Sequence, residues 1–329
     1  MTDSRINFAI IGTNFISDRF CEAVTLSKGA RAIAVYSRTE ARGEDFASRN
    51  HIERVYTSLD EMLSDSDIDA VYIASPTFCH AEQAIAALNA GKHVLCEKMI
   101  AINSSELKRM MDAAEANGRI LIEAMRPDFD GAFCLIEKEL PRLGKIRRVS
   151  FDYCQYSSRY DRFKSGEILN AFDPELKNSA LADIGIYPLH MCVYLFGEPS
   201  SIVSTSIFLS NGFEGAGTAI LNYGDMLATI NYSKISDNRT PSVIEGELGS
   251  ILIDKINSAD TITVKLRSGE QYRLAHKAVS NNMYFEIDAF CDIISGKLDY
   301  RKYLSVSRIT MSCVDKIYAS SSIFDRDNV

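Results

Sequence analysis

The first third of the chain alternates short apolar runs with stretches whose apolar residues recur at helical spacing. The apolar runs predict strands buried on both faces at 6–11, 31–36, 70–74, 93–96 and 120–122. The stretches between them predict helices at 15–27, 39–48, 80–90 and 104–117. Strands and helices that alternate at this interval are typical of βαβ units, so we predict a doubly wound, parallel Rossmann sheet.

After Arg126-Pro127 the pattern changes to longer segments in which apolar and polar residues alternate. These segments predict strands at 146–156, 201–209, 216–223, 226–233, 242–247, 250–254 and 261–266, and helices at 132–140, 284–294 and 304–321. Strict alternation indicates a large, mostly antiparallel, open-faced sheet with one packed and one open face. We therefore predict an α/β protein of two domains, one over 1–125 and one over 126–329.

Composition and charge narrow the classes of partner. The 329 residues carry a net charge of -8 without a run of Lys or Arg, which argues against nucleic acid. The eight cysteines and five histidines show no metal-ligand spacing, and no C-x-x-C motif is present, so we expect no metal and a reducing compartment. The N-terminal apolar run has six residues, too few for a signal peptide or a membrane span. A cytoplasmic protein with a small-molecule substrate is expected.

A phosphate-binding loop is predicted where the first strand meets the first helix. Only the first glycine of the G-x-G-x-x-G motif is present, at Gly12. We expect Asn14 to adopt a left-handed turn and Ser17 to allow close packing of helix on strand. A pyrophosphate would then sit on the helix N-terminus, beside the residues Gly12, Thr13, Asn14, Phe15 and Ile16.

Two further loops are candidates for cofactor binding. At the end of the second strand an NAD enzyme would carry an acidic residue, whereas this chain has Ser37 and Arg38, which suit the 2′-phosphate of NADP. The alternative is that Ser37-x-x-Glu40 is a helix capping box and Arg38 a surface residue in the first turn. After the third strand, the nicotinamide side would be lined by Ser75, Pro76, Thr77 and His80. A proline-bearing loop with a polar helix cap explains those residues almost as well.

A catalytic lysine is expected at Lys98, where the apolar run 93–96 stops. Charged groups just beyond the carboxyl end of a buried parallel strand project into the crevice where ligands bind. Glu97 precedes Lys98, and we count both among the residues near the cofactor. The alternative is an exposed Glu/Lys pair after an edge strand, which would contribute little.

These segments resemble the Gfo/Idh/MocA family of NAD(P)-dependent oxidoreductases. The resemblance rests on the stretch from Val71 to Thr77, on His80, and on the run from Ala87 to Lys98, and it covers nearly the whole chain. The family signature Glu-Lys-Pro here reads Glu97-Lys98-Met99. Its second signature, Asp-x-Gly-x-His, reads Asp183-Ile184-Gly185-Ile186-Tyr187, with tyrosine at the histidine position. This resembles the branch of glucose-fructose oxidoreductase, NADP-linked xylose dehydrogenase and dimeric dihydrodiol dehydrogenase.

The resemblance implies an acid/base role for Tyr187, and the chemistry agrees with it. Hydride transfer at a carbinol carbon needs a group that moves the hydroxyl proton and a positive charge that stabilises the developing alkoxide. Because a free tyrosine titrates near 10, it needs an adjacent ammonium group, which Lys98 would supply. We expect Asp183 to orient the substrate or Lys98. A buried helix tyrosine is the alternative for Tyr187.

Weaker candidates for substrate contact are Arg126, Tyr160 and His190, the last of which also fits a packed histidine.

The resemblance thus implies an oxidoreductase that prefers NADP, with NAD as the alternative cofactor, and that acts on a sugar, polyol or related cyclic alcohol or carbonyl. The expected organisation is a dinucleotide-binding Rossmann domain over 1–125 and a substrate-binding and oligomerisation domain over 126–329. The apolar positions on the open sheet face favour a homodimer or homotetramer. One rival is a glycosidase of the same fold with tightly bound NAD. Another is a non-catalytic, dinucleotide-binding regulator, which would not need both Lys98 and Tyr187.

Overall fold

The computed structural model describes residues 5–275 and 279–321, which form two compact units. The first contains 5–130 and, from near the end of the chain, 279–305. The second contains 131–275 and 306–321. Within the described residues, no helix is both long enough and apolar enough to cross a bilayer.

The first unit is built on a six-stranded parallel sheet in the order β3-β2-β1-β4-β5-β6. Its strands are β1 (Ile6–Ile11), β2 (Ala30–Tyr36), β3 (Arg54–Tyr56), β4 (Ala70–Ile73), β5 (His93–Glu97) and β6 (Leu121–Ala124). The helices between them are α1 (Phe15–Leu26), α2 (Glu40–Asn50), α3 (Leu59–Ser64), α4 (His80–Asn89) and α5 (Ser104–Ala116). This confirms the predicted Rossmann sheet, and β1 and β4 flank the point where the strand order reverses.

The apolar runs form these strands because helices cover both faces of the sheet. Every residue of β4 and of β6 is buried, as are the last four residues of β1. Four residues of β5 are also buried, and β5 lies between β4 and β6. Lys98 therefore follows an interior strand, which excludes the edge-strand alternative for the Glu97/Lys98 pair.

The second unit is built on an eight-stranded sheet in the order β14-β13-β12-β11-β7-β10-β9-β8. Its strands are β7 (Ile146–Cys154), β8 (Ser201–Phe208), β9 (Glu214–Asn222), β10 (Leu227–Ser233), β11 (Ser242–Gly246), β12 (Gly249–Ile253), β13 (Ile262–Leu266) and β14 (Gln271–Arg273). All neighbouring strands are antiparallel except β7 and β10. The mostly antiparallel sheet is thereby confirmed.

One face of this sheet is packed and the other is open, as the alternation predicted. The helices of the unit are α6 (Ala132–Glu139), α7 (Tyr160–Lys164), α8 (Ile186–Phe196) and, from residue 306 onward, α10 (Arg301–Ser321). Phe151 and Ile230 are fully buried, whereas Val203, Ile207 and Ile220 are exposed. The open face therefore carries apolar side chains at alternate positions.

The division between the units differs from the boundary expected at residue 125. Residues 126–130 group with the Rossmann unit, and so does α9 (Met283–Ile294), which the sequence assigned to the second domain. The reason is packing, because Ile287, Phe290 and Ile293 lie in the same core as β1 and α1. The rings of Phe290 and Phe8 are 5.8 Å apart.

Candidate active site

The turn between β1 and α1 is closed by Gly12. Its φ is +109°, and a Cβ at this position would lie 2.8 Å from the carbonyl oxygen of Ala74, just after β4. Only glycine fits such a close approach of two backbones. The turn thus lies at the strand-order reversal, where a dinucleotide pyrophosphate binds in Rossmann folds.

Asn14 plays a different part from the one expected. Its φ of -91° and ψ of 178° are extended, so the predicted left-handed turn is wrong. Instead, the side chain caps α1 by accepting from Ile16 N at 3.0 Å and Ser17 N at 3.2 Å, and it donates to Ala74 O at 2.7 Å. Asn14 therefore fixes the turn against β4. Ser17 is fully buried, as close packing of helix on strand requires.

Ser37 and Arg38 stand at the end of β2 without forming a capping box. The N-cap of α2 is Thr39, and the Ser37 hydroxyl accepts from Thr39 N at 3.4 Å, so the capping-box alternative is wrong. Arg38 is exposed and has no ion pair among the residues that the structure describes. Its guanidinium is available to an anionic ligand.

His80 ties together the loops that follow β4 and β5. It is almost completely buried, with Nδ1 2.9 Å from Met99 O and Nε2 2.9 Å from Ser75 O. Burial lowers the pKa of the imidazole, so the ring is neutral at pH 7. His80 thus connects the two loops through its ring nitrogens, and its place beside a ligand stays a prediction.

The other residues of the loop after β4 lie in a short turn. The Ser75 hydroxyl donates to Gln83 Oε1 at 2.6 Å, and a 3₁₀ turn begins at Thr77, directly after Pro76. Arg38 lies near enough to Cys79, in the same turn, to lower the pKa of its thiol, although burial acts more strongly and raises it. The candidate cofactor residues at the ends of β2 and β4 are therefore neighbours.

Glu97 anchors the segment that carries Lys98. Its side chain is buried and accepts from the Tyr72 hydroxyl at 2.6 Å and from Lys98 N at 3.3 Å. The peptide bond between Lys98 and Met99 is cis, and Met99 is buried. The backbone of Lys98 is thus held by a buried carboxylate, while its side chain starts at a partly exposed position.

The carboxyl of Glu286, on α9, is also buried and lies near enough to Glu97 to feel its charge. It is fully buried, and neither of its oxygens has a hydrogen-bond partner among the described residues. Burial chiefly, and then the negative charge of Glu97, raise the pKa of Glu286 well above its usual range, while the positive charge of Arg126 opposes this. Arg126, a weak substrate candidate, also donates to Asn282 Oδ1 at 3.4 Å within this unit.

In the second unit, Asp183 pairs with a lysine that the sequence analysis missed. Lys234 Nζ lies 2.9 Å from Asp183 Oδ2 and donates to Ala171 O at 2.8 Å. The Lys234 side chain is 4% exposed and that of Asp183 is 41% exposed. The buried ammonium therefore holds a carboxylate that still has free access to solvent and can accept a ligand hydroxyl.

Tyr187 lies in the first turn of α8, directly after the π-helical turn Leu181–Gly185 that contains Asp183. The two residues are thus local neighbours, in a turn wider than the α-helical one expected. The ring of Tyr187 packs edge-on against Tyr153 of β7, with centroids 5.7 Å apart. His190, further along α8, is fully buried, which agrees with the alternative of a packed histidine.

Tyr160 belongs to an aromatic cluster on α7. Its ring stacks on Phe172 at 5.6 Å, and Phe172 in turn lies 5.0 Å below the Lys234 ammonium. Phe172 therefore lies between Tyr160 and the Lys234 ammonium that pairs with Asp183. A signal for Lys234 existed in the sequence, because it follows directly on strand β10, just as Lys98 follows β5.

Comparison with known proteins agrees with this geometry. Residues 6–125 match the model of the oxidoreductase family with an NAD-binding Rossmann fold, and residues 140–252 match the GFO/IDH/MocA C-terminal domain. The chain belongs to the Gfo/Idh/MocA family, which confirms the resemblance. It is accordingly an oxidoreductase that uses a nicotinamide dinucleotide.

Individual relatives share most of this length. The chain is 43% identical to scyllo-inositol 2-dehydrogenase (NADP(+)) IolU of Bacillus subtilis over 88% of both proteins. It is 28% identical to trans-1,2-dihydrobenzene-1,2-diol dehydrogenase of Danio rerio, over 68% of this chain and 66% of the relative. Levoglucosan dehydrogenase in complex with NADH has the same fold, with a TM-score of 0.86 and 20% identity over 97% of both chains.

Proposed function

We propose that this protein is an NADP-preferring dehydrogenase that oxidises a secondary or anomeric hydroxyl of a sugar, cyclitol or related cyclic alcohol, or reduces the corresponding carbonyl. The observation that carries the proposal is the position of Lys98, held by Glu97 at the end of an interior strand of a nucleotide-binding sheet. The NADP-dependent inositol dehydrogenase at 43% identity supports the substrate class.

Each proposed catalytic residue has a separate role. Nicotinamide, when bound, supplies or accepts the hydride. Tyr187 takes the proton of the substrate hydroxyl. Lys98 supplies the positive charge that stabilises the developing alkoxide. Asp183, held as a carboxylate by Lys234, accepts a hydrogen bond from a second substrate hydroxyl and so orients the reacting carbon.

The cofactor contacts follow from the loops of the first unit. The Gly12 turn at the N-terminus of α1 would hold the pyrophosphate, with the backbone of Thr13, Asn14, Phe15 and Ile16 around it. Arg38, with Ser37 beside it, would pair with the 2′-phosphate, and the loop Ser75–Thr77 together with Glu97 and Lys98 would border the nicotinamide riboside.

The cofactor preference is tested by titrating the purified protein with NADPH and with NADH while nicotinamide fluorescence is recorded. We expect NADPH to bind more tightly, and Arg38→Ala to weaken NADPH binding by roughly 10- to 100-fold while changing NADH little, because a charged hydrogen bond contributes about 1.5–3 kcal/mol. Arg267→Ala, which removes an exposed arginine of the second unit, is the matched control. Tighter binding of NADH would contradict the preference for NADP.

The catalytic roles are tested by Lys98→Met and Tyr187→Phe. We expect each to lower kcat for scyllo-inositol or xylose oxidation by about 10²- to 10⁴-fold, since each removes a group that acts on the proton in the transition state. The melting temperatures of both variants should stay close to that of the parent protein. The cofactor affinity of Tyr187→Phe should also be unchanged. Turnover at the parent rate in either variant would remove that residue from the mechanism.

A further inference from the structure

The π-helical turn Leu181–Gly185, which carries Asp183 and leads into Tyr187, is held at its first residue by a buried carboxylate. Glu214, the first residue of β9, is almost completely buried, and its Oε2 accepts from Leu181 N at 3.0 Å. The first N–H groups of a helix have no partner within the helix, and a negative charge near them is favourable. Glu214 therefore supplies a partner that the turn itself does not provide.

The other oxygen of Glu214 joins the carboxylate to β8 and β10. Oε1 accepts from the Tyr232 hydroxyl at 2.9 Å and from the Ser206 hydroxyl at 2.7 Å. Burial chiefly, and then the negative charge of Glu214, raise the pKa of Tyr232, so its hydroxyl keeps its proton and donates. The carboxylate is thus fixed from two strands before it reaches the turn.

Tyr232 holds the same turn at its last residue. Its ring is almost completely buried, and a Cβ at Gly185 would lie 2.7 Å from its Cγ and 2.9 Å from its Cδ1. The absence of a side chain at Gly185 therefore lets the backbone of the turn pack directly on the ring. Since the Tyr232 hydroxyl is bonded to Glu214, two residues that are bonded to each other contact the two ends of the turn.

The middle of the turn is held from the same strand. Lys234, two residues after Tyr232, pairs with Asp183 at 2.9 Å. Glu214 bonds to the backbone of Leu181, two residues before Asp183, so it acts on Asp183 through the turn. Single π-helical turns of this kind are frequent at functional sites.

We propose that Glu214 and Tyr232 are positioning residues, which fix the π-helical turn so that Asp183 and Tyr187 act on the same substrate. This inference rests on the proposed dehydrogenase function. The effect is large enough to measure, because a displacement of about 1 Å in a catalytic arrangement can cost on the order of 10²-fold in rate.

The test compares Glu214→Ala with Glu214→Gln in the steady-state oxidation of scyllo-inositol with NADP. Glu214→Ala leaves Leu181 N without its acceptor, and we expect kcat/KM to fall by about 10- to 100-fold. Its NADPH affinity should stay that of the parent, because the proposed cofactor contacts lie in the first unit.

Glu214→Gln should rescue most of this loss. The amide oxygen can still accept from Leu181 N, and the amide NH₂ can donate to the two hydroxyls, which accept as well as donate. We expect its kcat/KM to lie close to that of the parent, and far above that of Glu214→Ala.

Ser206→Ala is the matched control, because it removes one donor to the same carboxylate oxygen and leaves the bonds to Leu181 and Tyr232 in place. It should lower the melting temperature without changing kcat/KM. Tyr232→Phe removes the donor that also contacts the turn, and we expect a loss of about three- to tenfold in kcat/KM, as for a neutral hydrogen bond.

Hydrogen exchange of the amides at 181–187, measured by mass spectrometry, gives a readout that does not depend on turnover. Exchange should be faster in Glu214→Ala and Tyr232→Phe than in the parent, and unchanged in Ser206→Ala. Parent-like exchange in both of the first two variants, or equal losses of kcat/KM in Tyr232→Phe and Ser206→Ala, would overturn the positioning role.

The remaining outcomes are also decisive. If Glu214→Ala does not fold, Tyr232→Phe decides alone, and parent-like kcat/KM together with parent-like exchange refutes the proposal. If the parent binds NADPH but oxidises no sugar or polyol, the dehydrogenase function fails instead. Hydrogen exchange then still shows whether Glu214 and Tyr232 hold the turn.

Discussion

At the scale of single residues, the buried pair Glu97 and Glu286 has the most unusual electrostatics in the first unit. Glu97 accepts two hydrogen bonds, whereas Glu286 has none among the described residues and is fully buried. A second negative charge beside Glu97 in a buried environment is costly, so burial and the charge of Glu97 raise the pKa of Glu286 and favour its protonated form.

This protonation makes stability depend on pH. In the unfolded chain Glu286 loses its proton above about pH 4.3, whereas its raised pKa lets the folded protein keep the proton to a higher pH. Folding must then take up a proton, so the residue lowers stability increasingly as pH rises from about 4.3 towards the raised pKa of the folded state, by up to about 1.4 kcal/mol per pH unit.

We therefore expect Glu286→Gln to have a higher melting temperature than the parent at pH 8, with a smaller difference at pH 5. The charges that face Glu286 are Glu97, Arg126, Asp128 and Asp130, and they are the same in both proteins. Thermal melts across this range measure the effect, and Glu286→Met serves as a second variant without polar atoms. Glu44→Gln, on an exposed face of α2, is the control. A difference that does not change with pH would mean that Glu286 is ionised in the folded state.

At the scale of elements, Lys234 joins three pieces of the second unit. It follows β10, pairs with Asp183 in the π-helical turn, and donates to Ala171 beside the ring of Phe172. The pair is asymmetric, because only the lysine is buried.

This asymmetry predicts unequal effects of removing the two partners. Asp183→Ala leaves a buried ammonium without its carboxylate and should cost roughly 1–3 kcal/mol of unfolding free energy, less than the loss for a fully buried pair because Asp183 is partly exposed. Lys234→Met keeps the packing on Phe172 and Phe213, and water can solvate the remaining carboxylate, so we expect a change below about 1 kcal/mol. Urea denaturation measures both. Equal losses of unfolding free energy in the two variants would show that an unpaired ammonium costs no more than an unpaired carboxylate.

The sequence predicted the longer elements well because their burial has a clear period. The bounds of β1, α4 and β5 agree within one residue, and every predicted strand and helix exists. The short elements β3, α3, α7 and β14 were missed, since three to six residues carry too little periodicity. The eleven-residue helix α8 was also missed, because nine of its residues are buried and no polar face marks a helical period. Lys98 was predicted at a strand end, but Lys234 and Glu286 were not recognised, because their significance depends on partners from distant parts of the chain. The roles assigned to the site residues stay predictions.

At the scale of the whole molecule, the open face of the eight-stranded sheet predicts association. Val203 pairs in register with Ile220, and Val203 and Ile207 are 56% and 59% exposed. Apolar side chains gathered on one face of a sheet favour a second copy of the chain as their cover. We propose a homodimer, or a homotetramer that contains this dimer.

Charges placed on that face should dissociate the oligomer. We expect Val203→Asp combined with Ile207→Asp to shift the mass measured by light scattering from that of an oligomer to that of one chain, because burying unpaired charge is costly. Leu26→Lys, which changes an exposed apolar residue of the first unit, should leave the mass unchanged. A monomeric parent protein would contradict the proposal.

α9 packs in the first unit although it lies near the end of the chain, and this affects the order of folding during synthesis. Met283, Ile287, Phe290 and Ile293 complete a core whose other fully buried members are translated long before them. The early strands can form while the ribosome still holds the rest, yet their apolar surface stays partly uncovered until these residues emerge. The nucleotide-binding half is therefore synthesised first but finished late. If translation stopped before residue 283, the product would be a chain with exposed hydrophobic surface and not a domain that folds on its own.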